Sequence, residues 1–106
     1  MRVADLDPED AKLITLARSA RARSGVAEGA AVRDDTGRTY VATTVDLPSL
    51  QLTALQGAVA AAVSSGVRTL EAAAVVTDLL DVDRAIVDDL TPSAPLLVAD
   101  PKGELR

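Results

Sequence analysis

The sequence predicts an α/β sandwich with a mixed sheet, its elements in the order α-β-β-α-β-α-β. Three observations predict it. A capped, amphipathic segment opens the chain. A Thr- and Val-rich stretch with an Asp-Asp-Thr-Gly turn follows. Two short apolar runs, residues 70–77 and 95–99, then flank a short helical pattern. Helical and extended patterns that alternate in this way pack as helices on a sheet. The 106 residues make one domain, residues 1–106, long enough for a core of modest size.

The first helix spans Pro8 to Ser24. Asp7 suits the cap, Pro8 the first helical position, and Glu9 and Asp10 the first turn. Leu13, Leu16, Ala17 and Ala20 repeat on one face. Arg18, Arg21 and Arg23 favour the C-terminal end, and Gly25 can terminate it. Residues 27–46 read as a hairpin, with Gly37 in the turn and a second strand running from Arg38 to Val45.

Ser49 to Gly66 reads as one central helix, apolar nearly all round and therefore buried, yet too short and Ala-rich to span a bilayer. Leu52, Leu55, Val59, Ala62 and Val63 form a large stripe suited to a sheet. Ala54, Gly57, Ala58 and Ala61 form a second surface of small residues. Gly57 inside a helix costs about 1 kcal/mol relative to Ala, which suggests a packing reason. The expected partner is a second copy of the chain, giving a homo-oligomer, dimer or tetramer. The alternative is that the first helix covers the small face within one chain.

Leu70 to Thr77 reads as a strand buried on both faces, reached through the central helix as a βαβ unit with parallel strands. Asp81 can cap a short helix containing Ala85, Ile86, Val87 and Leu90, which Thr91-Pro92 ends. Pro95 to Ala99 is another strand, and Asp100-Pro101-Lys102-Gly103 a turn.

Composition excludes several kinds of chemistry. There is no cysteine and no histidine, so disulfides, Cys or His zinc sites, thiol nucleophiles and imidazole catalysis are unavailable. The net charge is −5, and no basic stripe could neutralise a nucleic-acid backbone. Tyr40 is the only aromatic residue, so Leu, Val, Ile and Ala must build the core. No transmembrane run and no signal-peptide pattern occurs, and the expected location is the cytoplasm.

Three segments carry a family resemblance. They are Gly29-Ala30-Ala31-Val32-Arg33-Asp34-Asp35-Thr36-Gly37-Arg38-Thr39-Tyr40, then Ala62-Val63-Ser64-Ser65-Gly66, then Leu96-Leu97-Val98-Ala99-Asp100-Pro101-Lys102-Gly103-Glu104. With their spacing they resemble the cytidine deaminase-like family. That family binds zinc through a C-A-E or H-A-E helix start and a P-C-x-x-C helix start. The metal activates a water and the Glu shuttles protons.

The resemblance places Thr53-Ala54-Leu55 at the first motif, with Thr53 in place of a ligand and Leu55 in place of the proton shuttle. Around the second motif the chain reads Leu79-Leu80-Asp81-Val82-Asp83, without a cysteine. The family's N-x-E, which holds a ribose, would fall on Thr44-Val45-Asp46. Thr44 and Asp46 are then a ligand-binding remnant; the simpler reading is that Asp46 ends a strand. The family usually adds a strand and helix after the last turn.

These residues predict a catalytically inactive relative with neither metal nor cofactor, acting through self-association or an unidentified protein partner. The alternatives are a nominal cytidine deaminase, or a nucleoside-binding module with a vestigial cleft. Asp78, Asp81 and Asp83 could attract a hard cation, but acidic residues before a helix need no metal, and no Gly-interleaved calcium loop is present. Lys12 and Lys102, the only lysines, read as exposed, and no Walker or dinucleotide fingerprint occurs.

Overall fold

A computed structural model describes residues 3–106. After a short 3-10 turn at Val3–Asp5 come α1 (Pro8–Ser24), β1 (Gly29–Asp34), β2 (Thr39–Thr43), β3 (Val45–Leu47), β4 (Leu50–Leu52), α2 (Ala54–Ser64), β5 (Leu70–Val76), α3 (Ala85–Leu90) and β6 (Leu96–Ala99). The expected mixed-sheet architecture is present. The four-stranded sheet has the order β2-β1-β5-β6, with β1 antiparallel to both neighbours and β5 parallel to β6.

The first helix forms as its sequence dictates. The Asp7 carboxylate accepts from Glu9 N at 2.8 Å, and Gly25 takes φ +68° and donates to the Arg21 carbonyl. The hairpin between β1 and β2 turns on Asp34, whose Oδ1 accepts from Thr36 N, Thr36 Oγ1 and Arg38 N. The Thr36 hydroxyl bond leads in holding the Asp34 carboxyl below its usual range. Asp100 is held low in the same way, first by the backbone N–H of Glu104 and then by that of Lys102.

Side chains of β1 alternate between two cores. Ala30 and Val32 face α2 and α3, together with Leu70, Ala73 and Val75 of β5. Ala31 faces α1 beside Ala72, Ala74, Val76 and Ala99, against Leu13, Ile14 and Ala17. Arg33 follows Ala31 on the α1 side, where it reaches Asp10 at 2.9 Å and Glu71 at 2.7 Å. Burial opposes its charge, but those two carboxylates outweigh it and raise its pKa.

Four expectations need correction. The central helix starts at Ala54 and not near Ser49. Residues 45–52 instead form a separate hairpin, with Val45 opposite Leu52 and Leu47 opposite Leu50 across Pro48-Ser49. The long second strand therefore breaks at Thr44. Thr53 sets the helix start: its Oγ1 accepts from Gln56 N while Gln56 Oε1 accepts from Thr53 N, a reciprocal capping box.

The small-residue face is the second correction. Ala54 and Ala58 are fully buried in the core between α2 and the sheet, and a Cβ on Gly57 would sit 3.0 Å from the Ala42 Cβ of β2. Only Ala61 is exposed. The proposed oligomer face is thus the surface by which α2 approaches its own sheet, while Val63, assigned to the sheet stripe, is half exposed. Small side chains bring the helix closer to the strands than leucines could. The first helix does not cover it either, because α1 packs on the opposite sheet face.

Thirdly, β2 and β5 run the same way, but β1 lies between them, so the adjacent parallel pair is β5–β6, joined through α3. Fourthly, α3 is preceded by Asp83, which accepts from Ala85 N at 2.9 Å; Asp81 does not cap it.

Candidate functional site

Strands β2, β5 and β6 all end at one edge of the sheet, and β1 begins there. The N-terminus of α2 meets the same edge. Such crevices at carboxyl ends of strands are where open α/β sheets place ligands. A cleft of about 630 Å³ opens here between the β3–β4 hairpin, the start of α2 and the end of β5. Its lining includes Glu28, Thr44, Asp46, Thr53, Gln56 and Thr77, with Val45, Leu52 and Leu79 as apolar wall. A smaller cavity of about 170 Å³ shares Glu28, Thr53 and Leu79 with the cleft and adds Leu55, Val75, Asp81, Val82 and Asp83.

The residues singled out in the sequence therefore come together. Thr44 and Asp46 lie on one wall and Thr53 on another, with Leu55 below. Leu55 is only 1% exposed and packs in the core. Thr44 ties the hairpin to β1: its Oγ1 accepts from Glu28 N at 3.1 Å, and its own N–H donates to the Glu28 carbonyl. Asp46 is exposed, opposite Gln51 in the β3–β4 ladder. The face of Ala54, Gly57, Ala58 and Ala61 does not join this site.

Glu28 is the residue that sequence reasoning missed. It is 8% exposed and lines both cavities, yet no described residue donates to its carboxylate or forms an ion pair with it. In the sequence it is one acidic residue between Ala27 and Gly29, with nothing local to mark it. Only the approach of α2 and the β3–β4 hairpin encloses it.

The resemblance to zinc deaminases calls for a test of the donor set. Leu55 offers no donor atom, and both polar groups of Thr53 are committed to the capping box. The chain has neither Cys nor His. Among the described residues no three of His, Cys, Asp and Glu converge as metal ligands. The residues present do not fit a catalytic zinc, which takes three such ligands.

A second concavity, about 550 Å³, lies at the opposite end of β1, between the Asp34–Arg38 turn and residues 65–69. Its one buried carboxylate, Asp34, is already satisfied by the turn. No helix among the described residues is long and apolar enough to cross a membrane.

The chain is similar in fold to a cytidine deaminase from Burkholderia pseudomallei, at 23% identity and TM-score 0.76, over 90% of this chain and 87% of that one. It is similar to cytidine deaminase from Mycobacterium tuberculosis at 28% identity and TM-score 0.71, over 94% and 90% of the two chains. A point mutant of the latter enzyme gives 30% identity and TM-score 0.69, over 96% and 91%. No curated protein sequence matches it. The family model described as cytidine deaminase-like matches residues 6–103, and the chain belongs to that family.

Proposed function

We infer that this protein is a cytidine deaminase-like domain without deaminase chemistry, which keeps the cleft as a small-molecule binding site in a regulatory or structural role. One observation carries this reading: buried Leu55 stands where the family resemblance places the proton-shuttling Glu. Hydrolytic deamination needs an activated water and a group that moves protons to the leaving amine. Leucine cannot move a proton, and a chain without Cys or His cannot supply the family's zinc ligands. The competing reading is an active cytidine deaminase, as the similar solved structures are named.

Metal analysis and an activity assay separate the two. The purified protein is expected to carry no stoichiometric zinc and to leave cytidine unchanged. About one zinc per chain, or conversion of cytidine to uridine that is sensitive to chelation, would overturn the reading.

Self-association is a second role, now resting on different residues. Leu47 and Leu50 are about half exposed at the tip of the β3–β4 hairpin, and Leu79 and Leu80 are more exposed still, on the loop after β5. These two elements flank the cleft. Apolar surface of this kind marks interaction sites. A homo-oligomer is expected in light scattering at micromolar concentration. The double substitution Leu47→Ser with Leu80→Ser should shift it toward monomer. A wild-type mass of one chain would refute it.

A further inference from the structure

The cleft and the cavity beneath it are lined by Glu28, Asp46, Asp78, Asp81 and Asp83, and by no Lys or Arg. Acidic residues alone do not make a binding site, since solvent can satisfy them. Asp46, Asp78, Asp81 and Asp83 are exposed, and Asp83 already accepts from Ala85 N. Two cations reach the rim of the cleft, but neither pairs with Glu28. Arg21 lies 3.7 Å from Asp78, and Arg106 donates to the Leu79 carbonyl.

Glu28 differs from the other four. Its residue is more than nine-tenths buried, its carboxylate has no partner among the described residues, and it borders both cavities. Its carboxylate oxygens are not among the buried unpartnered atoms, so they meet solvent in the cleft and are open to a donor that a ligand brings. The positive end of α2, which begins beside Thr53 in the same cavity, favours a carboxylate there. It supplies no hydrogen bond to it, because the Gln56 N–H is committed to Thr53.

We propose that Glu28 makes this cleft a receptor for a small organic cation of the amidinium or guanidinium class, whose paired N–H groups engage its carboxylate. The proposal rests on the reading of the cleft as a ligand site and adds the class of ligand. A planar N–H pair matches a carboxylate in two parallel bonds and delivers the compensating charge. Val45, Leu52 and Leu79 accommodate an apolar body behind such a head group. Phosphorylated or carboxylated ligands meet the like charge of Glu28 and Asp46 and are disfavoured.

Amide chemical shifts of ¹⁵N-labelled protein, followed during titration with benzamidine and with its neutral isostere benzamide, test this. Benzamidinium is expected to move the amides of Glu28, Thr44, Thr53 and Leu79 saturably. Benzamide should bind more weakly by about tenfold or more. Glu28→Gln should remove that preference by weakening benzamidinium binding.

Equal affinity for the two probes, or benzamidinium binding unchanged in Glu28→Gln, would overturn the proposal and leave the cleft as a ligand site of another chemistry. If neither probe nor cytidine moved any cleft amide at millimolar concentration, both the proposal and the ligand-site reading would fall. The contrast between the two probes is read on the wild-type protein, so it decides the matter even if the variant does not fold.

Discussion

Gly29→Ala is expected to destabilise the domain by about 3 kcal/mol, a fall in Tm on the order of 15 °C for a chain of this size. A Cβ at position 29 would lie 2.0 Å from the Ala17 carbonyl oxygen of α1 and 3.1 Å from the Arg21 Cβ. The nearest atoms are helix backbone, which cannot rotate away as a side chain tip could. Either α1 lifts off the sheet or β1 moves toward α2. The first opens the core of Leu13, Ile14 and Ala17, and the second compresses Ala30 against α2. Gly25→Ala makes the contrast, since Gly25 has φ +68° but nothing within 4 Å. It should cost only about 1 kcal/mol, through backbone strain. Thermal melts of the two variants check this: equal losses would mean that α1 does not press on β1 as described. Because Glu28 precedes Gly29, the close approach also fixes where the buried carboxylate begins.

Much of the fold was legible because its signals are local. Asp7, Pro8 and Gly25 bound α1 through caps made within a few residues. The Asp34–Gly37 turn dictates the first hairpin in the same way. The β3–β4 hairpin was not legible. Its strands are three residues each, and apolar residues recur from Leu50 into α2 with only Gln51 and Thr53 between them. The capping pair Thr53 and Gln56 was the signal that could have divided them.

Sheet order could not be read locally either. That β5 inserts beside β1 depends on packing between segments about forty residues apart, as in Ala31 opposite Ala74. The small-residue face of α2 was recognised as a close-approach surface but given the wrong partner. Periodicity shows that a face is small and does not show what lies against it. The family resemblance drew attention to Thr44, Asp46, Thr53 and Leu55; the first three line one cleft, and Leu55 lines the smaller cavity that shares Thr53 with it. Glu28 escaped because neither periodicity nor resemblance marks a carboxylate that becomes buried only by distant elements.

Leu55→Glu, which puts back the residue type of the family's proton shuttle, is expected to destabilise the protein by about 3–5 kcal/mol and to restore no deamination. Leu55 is 1% exposed, and its side chain shares a cavity of about 170 Å³ with Glu28, Val75 and Val82. A carboxylate introduced there loses the burial of the leucine and finds no cation among the lining residues. It also meets Glu28, and two carboxylates confined together cannot both ionise without penalty. One of them should therefore hold its proton above the ordinary Glu pKa of about 4.3.

The folded variant then binds more protons than the unfolded chain, so its stability should fall as pH rises through that value and beyond. Its deficit relative to wild type should be larger at pH 8 than at pH 4. Glu28→Val made alone should change stability by less than about 1 kcal/mol, because the carboxylate it removes is met by solvent in the cleft. Combined with Leu55→Glu, it should return about 1–3 kcal/mol more than the sum of the two single changes. Denaturant melts of the four proteins measure that coupling. A coupling near zero would mean that residues 28 and 55 do not share the cavity. A full-strength Leu55→Glu protein with wild-type Tm would mean that position 55 faces solvent, and the family motif would then have to be sought elsewhere in the chain.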